Sequence, residues 1–134
     1  MITIKTIYTG DLQTIATHVR SGRTLVTDAP VDNQGKGENF SPTDLLAASL
    51  GSCTMTIIGI AARNHNFSVD GTRMEITKIM AENPRRVAEV VIDYFFPPNS
   101  FSDREKAIIE NAARTCPVAR SLHTDLKQTL RFNY

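Results

Sequence analysis

The stretch SPTDLLAASLGSCTMTIIGIAAR, residues 41–63, decides how the rest of the chain must be arranged. Ser41 can cap a helix, Pro42 suits the first helical position, and Asp44 can reach back as in a capping box, so a long helix is expected to start here. From Leu45 to about Arg63 the run carries almost no charge. A helix that is apolar nearly all round has to be buried on most sides. A chain of 134 residues has hardly enough mass to wrap it alone. This points to a dimer with the helix in a shared core, where Ala47, Ala48, Ser49, Gly51 and Ser52 would let a neighbour approach closely.

Upstream, the first thirty residues alternate polar and apolar side chains (Ile2, Ile4, Thr6, Tyr8; Ile15, Thr17, Val19; Leu25, Thr27), with breaks near Thr9-Gly10-Asp11 and Ser21-Gly22. Period-two runs punctuated by glycine predict a three-stranded antiparallel meander. Asp28-Ala29-Pro30 ends it, and VDNQGKGENF reads as a surface loop leading to the long helix. Downstream of Asn64-His65-Asn66, residues 67–80 and 85–97 read as two long strands. Val90, Ile92, Tyr94 and Phe96 lie on one face of the second, and Glu82-Asn83-Pro84 forms the turn between them.

Pro97-Pro98-Asn99 stops that strand. Ser102-Asp103-Arg104-Glu105 is a second capping box, opening an amphipathic helix through Arg114. Cys116-Pro117 restarts helical geometry, and LKQTLRFN, ending at Asn133, should close as a strand. The expected order is β-β-β-α-β-β-α-α-β with antiparallel strands, an α+β domain spanning 1–134 around a long buried central helix.

Composition excludes several classes. With 41% hydrophobic and 22% charged residues the chain fits one globular domain able to bury a core. Fifteen basic against fourteen acidic side chains give a net charge of +1, which supplies no general field for nucleic acid or an anionic membrane. No uninterrupted apolar stretch approaches the roughly 18 residues of a membrane span, and MITIKTIYTGD lacks the order of a signal peptide. A soluble cytoplasmic protein is expected. His18, His65 and His123 show no metal-ligand spacing with the cysteines, so neither metal nor other cofactor is called for.

Two cysteines are too few for a disulfide scaffold, and structural disulfides are rare in a reducing compartment. Cys53 lies about three turns into the long helix, where cysteine is commonly a small core hydrophobe. Cys116 stands at a helix start, where unpaired amides and the dipole favour a thiolate, though an inconsequential N-cap fits equally well. The two are 63 positions apart and can meet only through the fold.

The combination GKGENFSPTDLLAASLGSC, a charged helix, and then ARTCPVARSLH resembles the OsmC/Ohr family of organic hydroperoxide reductases and osmotically inducible relatives. The resemblance covers the whole chain in element order. It implies a small α+β fold forming an intertwined homodimer, with two long central helices in a shared core. It also implies a thiol peroxidase of oxidative stress defence, with Cys53 as the peroxidatic nucleophile and Cys116 as the resolving thiol. Cys53 would become a sulfenic acid, Cys116 would condense with it to a disulfide, and an external dithiol, in some relatives a lipoyl-bearing protein, would reduce the pair.

A thiolate within an apolar helix needs a nearby cation. The family's arginine matches Arg20, within Arg20-Ser21-Gly22-Arg23, with Arg23 as the other choice. The chain departs from the hydroperoxide reductase pattern at the helix start, where Thr43 stands in place of a glutamate that steers the arginine. Asp44 either substitutes for that glutamate or caps the helix. Leu50, Met55 and Ile57, with Phe40 or Phe101 at an entrance, would suit an organic hydroperoxide, and the same residues also read as plain core. The reading opposed to the peroxidase is a stress-associated dimeric protein that binds a ligand or senses redox state.

Overall fold

The computed structural model describes all 134 residues, in two compact units, Met1–Leu45 and Leu46–Tyr134. In the first, β1 (Ile4–Gly10), β2 (Gln13–His18) and β3 (Thr24–Asp28) form an antiparallel sheet in that order. The expected meander is therefore present. The β1–β2 turn takes positive φ at Asp11 and Leu12 as well as Gly10. Asp11 accepts this readily, whereas Leu12 is an unusual occupant.

The loop after β3 is tied down by Asp28. Its carboxylate accepts hydrogen bonds from the Asn39 backbone amide at 2.7 Å and the Asn39 side-chain amide at 3.1 Å, and its own amide donates to the Phe40 carbonyl. Gly35 is required inside this loop, because a Cβ there would overlap the Ala29 carbonyl. Helix α1 (Pro42–Asn64) then begins in a capping box: the Asp44 amide donates to Ser41 Oγ at 3.1 Å, and the Ser41 amide donates to Asp44 Oδ2 at 2.9 Å.

In the second unit, β4 (Arg73–Ala81), β5 (Arg86–Phe95) and β6 (Lys127–Asn133) form a sheet in the order β4-β5-β6. Between β5 and β6 run α2 (Asp103–Ala113) and the one-turn α3 (Pro117–Ser121). The order of elements is the expected one, but β6 lies parallel to β5, not antiparallel. The reason is the connection. Two helices between the strands make a crossover long enough to return the chain to the same end of the sheet, which a hairpin cannot do. The Ser102–Glu105 capping box forms in full.

Helix α1 buries one stripe, Ala47, Leu50, Gly51, Thr54, Ile58 and Ala62, six of its 23 residues. Leu46, Cys53, Met55 and Ile57 beside this stripe are half-buried against the core, whereas Ile60 is exposed within one chain. By length and composition alone the helix could also cross a membrane, a test that the core helix of a soluble protein passes too. At Gly51 the helix comes so near β4 that a Cβ would stand 2.4 Å from Ile76 Cδ1. The core is completed by Val90, Ile92 and Tyr94 of β5, by Ile109 and Ala113 of α2, and by Cys116. The Tyr94 ring stacks on Phe132 of β6 at 5.0 Å between centroids.

Candidate active site

Cys53 is half-buried on the flank of α1, roughly 100° round the helix from the buried Thr54. Cys116 reaches the same neighbourhood from the far end of the second unit. Helix α2 ends at Ala113, Arg114 closes it, and Cys116 adopts an extended conformation as the N-cap of α3, with Pro117 in the first turn. Proline at that position forces the break that turns the cysteine inward. Cys116 is entirely buried, and its Sγ accepts a hydrogen bond from the Ala119 amide at 3.2 Å. Both cysteines are free thiols, and Cys53 is near enough to Cys116 to influence its ionisation.

Burial pushes the Cys116 thiol above its ordinary pKa; the Ala119 and Val118 amides pull it down, and the adjacent Cys53 pushes it further up. The helix-start amides therefore act in the expected direction but do not prevail. Desolvation of a thiolate in an apolar core outweighs the pull of a one-turn helix, so the favoured form of Cys116 is the neutral thiol.

Next to the cysteines lies a polar chain that sequence reasoning missed. The Tyr94 hydroxyl donates to Thr54 Oγ1 at 2.6 Å, and the Thr54 hydroxyl donates to the Gly51 carbonyl at 2.8 Å. Tyr94 and Thr54 are both wholly buried. Burial pushes the Tyr94 phenol up to about 12, the Thr54 hydrogen bond acts against this, and Cys116 adds to the rise. In the sequence Tyr94 shows only as one position on an alternating strand face, and nothing local joins it to a threonine 40 positions earlier.

The other sequence-derived residues are placed as follows. Arg20 and Arg23 flank the β2–β3 turn of the first unit, both exposed, and the Arg23 amide donates to Ser21 Oγ at 3.3 Å. Asp44 is in the capping box, and Thr43 Oγ1 is 3.1 Å from Ser41 Oγ. Leu50 is wholly buried in the core, and Phe101 is buried in an aromatic cluster with Phe67, Phe96 and Tyr134 beside a pocket of about 310 Å³. Met55 and Ile57 are partly buried against the core, and Phe40 is exposed in the first unit. His123 lies beyond the end of α3, beside Asp125. No three or more His, Cys, Asp or Glu side chains converge on a point that could hold a metal ion.

The family model described as OsmC-like protein matches residues 35–131. No curated protein matches the chain. Among solved structures, it is similar to a Psychrobacter arcticus 273-4 protein provisionally named an osmotic stress induced and detoxification response protein. That similarity is 53% identity over 99% of this chain and 96% of that one, with a TM-score of 0.95. An organic hydroperoxide resistance protein OsmC from Legionella pneumophila shares the fold at 17% identity, covering 100% of this chain and 98% of its own, with a TM-score of 0.77. An organic hydroperoxide resistance protein from Elizabethkingia anophelis does so at 17% identity, over 99% and 96%, with a TM-score of 0.71. With 97 consecutive residues spanned by the family model and the α+β fold in common, this chain belongs to the OsmC-like protein family.

Proposed function

We propose that the chain is a homodimeric thiol peroxidase that reduces organic hydroperoxides in the cytoplasm, with Cys53 as the peroxidatic nucleophile and Cys116 as the resolving thiol. The observation that supports the reading is that two free thiols 63 positions apart in sequence lie near enough for Cys53 to influence the ionisation of Cys116. Relatives of the same fold that are named organic hydroperoxide resistance proteins support the choice of substrate.

The Cys53 thiolate attacks the distal oxygen of the hydroperoxide. The O–O bond breaks, the alkoxide takes up a proton and leaves as alcohol, and Cys53 becomes a sulfenic acid. Cys116 gives up its proton to the departing hydroxide as its sulfur attacks the Cys53 sulfur, so that water leaves and the disulfide forms, and its raised pKa makes this proton transfer part of the step. An external dithiol, of lipoyl type in this reading, reduces the disulfide and is itself oxidised. The family resemblance assigns the cation for the Cys53 thiolate to Arg20 or Arg23, both of them exposed, and Asp44 fixes the helix start through its capping box.

The dimer is supported by surface that one chain leaves uncovered. Ile60 on α1 is half exposed beside an open groove of about 520 Å³, lined by Thr56, Gly59, Arg63 and Phe67 among others. Ile4, Ile7 and Tyr8 of β1 are more than half exposed. Apolar side chains left exposed in this way are costly in water, and in this reading a second copy covers them. Light scattering should give twice the 14.8 kDa chain mass.

The activity is tested with purified protein, cumene hydroperoxide or tert-butyl hydroperoxide, and dithiothreitol or dihydrolipoamide. Peroxide consumption should vanish in Cys53→Ser. In Cys116→Ser it should lose its dithiol-driven turnover. Consumption unchanged by Cys53→Ser overturns the reading and leaves ligand binding or redox sensing as the role of the fold.

A further inference from the structure

Apolar packing tolerates rearrangement that directional contacts do not, which leaves a helix packed on a sheet some freedom to turn about its own axis. For α1 that freedom matters. A rotation of roughly 20° swings a thiol held about 5 Å from the helix axis by roughly 2 Å. This is about the length of an S–S bond. Contacts that fix the rotation of α1 therefore also fix where Cys53 stands relative to Cys116.

Two features set that rotation. Gly51 lets α1 settle against Ile76. Three residues on, Thr54 receives the 2.6 Å hydrogen bond from Tyr94 while donating its own proton to the Gly51 carbonyl. A hydrogen bond is directional in a way that apolar contact is not. Tyr94 is itself well anchored: its ring lies parallel to Phe132, with 2° between the planes, and its carbonyl accepts from Asn133 Nδ2 at 3.0 Å. Thr54 is next to Cys53 in the chain, and the Tyr94 hydroxyl is near enough to Cys116 to be affected by its charge.

We propose that Tyr94 and Thr54 are positioning residues for the Cys53–Cys116 pair, their buried hydrogen bond fixing the rotation of α1 so that the two sulfurs meet. The inference rests on reading the two thiols as a redox pair and adds what aligns them. Neither residue touches the peroxide. Both act through Cys53.

The test is thiol–disulfide equilibrium in glutathione buffers, where two protein thiols and one glutathione disulfide give one protein disulfide and two glutathione thiols, with no peroxide involved. The variants are Tyr94→Phe, which keeps the stacked ring, Thr54→Val, which keeps the shape, and Thr54→Ser, which keeps the hydroxyl. The effective concentration of one thiol at the other should fall about tenfold in Tyr94→Phe and Thr54→Val, and stay within about twofold of wild type in Thr54→Ser. A merely structural role would lower melting temperatures without moving this equilibrium in protein that is folded at 25 °C. Effective concentrations equal to wild type in both Tyr94→Phe and Thr54→Val overturn the proposal, as does a wild-type pair that forms no disulfide. A wild type that forms the disulfide yet consumes no hydroperoxide overturns the peroxidase reading and leaves the positioning role standing.

Discussion

Cys116 Sγ accepts the Ala119 backbone amide at 3.2 Å, so the thiol assigned to resolution also caps the helix it begins. Serine can keep that bond and alanine cannot. Cys116→Ser should therefore be more stable to urea than Cys116→Ala by about 1 kcal/mol, the usual worth of an N-cap. Equal stability of the two variants would show that the sulfur contact contributes nothing to α3.

A second expectation concerns alkaline stability. The Tyr94 phenol is pushed up to about 12 from an ordinary 10.0 by burial, so the folded chain keeps a proton that the unfolded chain gives up. A raised group of this kind contributes stability that is complete below pH 10 and is lost as the pH rises through 12. Tyr134, also pushed up to about 12 by burial, and Cys116, raised from 9.0, act with the same sign. Tyr94→Phe removes one of the three. Its stability should start lower at pH 8 but fall less steeply between pH 10 and 12, by up to about 2 kcal/mol over that interval. Parallel curves for variant and wild type would contradict the assignment.

The acid limb should depend on Asp28. Burial pushes its carboxyl up, but the side chains of Gln13 and Asn39 and the amides of Asn39 and Glu38 together hold it below 3.8. A depressed carboxyl contributes stability that is present above its unfolded pKa and lost as the pH falls through the folded one. Asp28→Asn should flatten the loss of stability below pH 4 and speed hydrogen exchange at the Asn39 amide, which now donates to the carboxylate at 2.7 Å. Unchanged exchange at Asn39 would show that the loop is held by other contacts.

Much of this arrangement is legible in the sequence alone. Ser41 and Asp44, and likewise Ser102 and Glu105, announce helix starts through chemistry confined to four residues, and both capping boxes form. Cys116-Pro117 marks a helix start for the same local reason. What escapes is set by the fold as a whole. Alternation in residues 126–133 gives a strand's period but not its direction, so the parallel pairing of β6 with β5 had no local sign. The Cys116 thiol reads as thiolate-favouring from its helix start, and only its complete burial reverses the sign. The Tyr94–Thr54 bond joins positions 40 apart and is invisible to any local reading.

Replacing the two candidate arginines one at a time separates their roles. Arg20→Ala or Arg23→Ala, whichever removes the cation serving Cys53, should slow sulfenic acid formation about a hundredfold, the scale seen when one stabilising group is lost from a site of developing charge. The other should leave the rate within about threefold. If neither slows it, the cation comes from elsewhere.

The central claim is that Cys53 reacts with the peroxide and Cys116 resolves the product. Mass spectrometry after one equivalent of cumene hydroperoxide, with dimedone present as a sulfenic acid trap, tests it directly. Wild type should lose two protons' mass through a Cys53–Cys116 disulfide, and Cys116→Ser should carry one dimedone adduct on Cys53. A wild type left fully reduced, or an adduct on any residue other than Cys53 in the variant, would contradict the account.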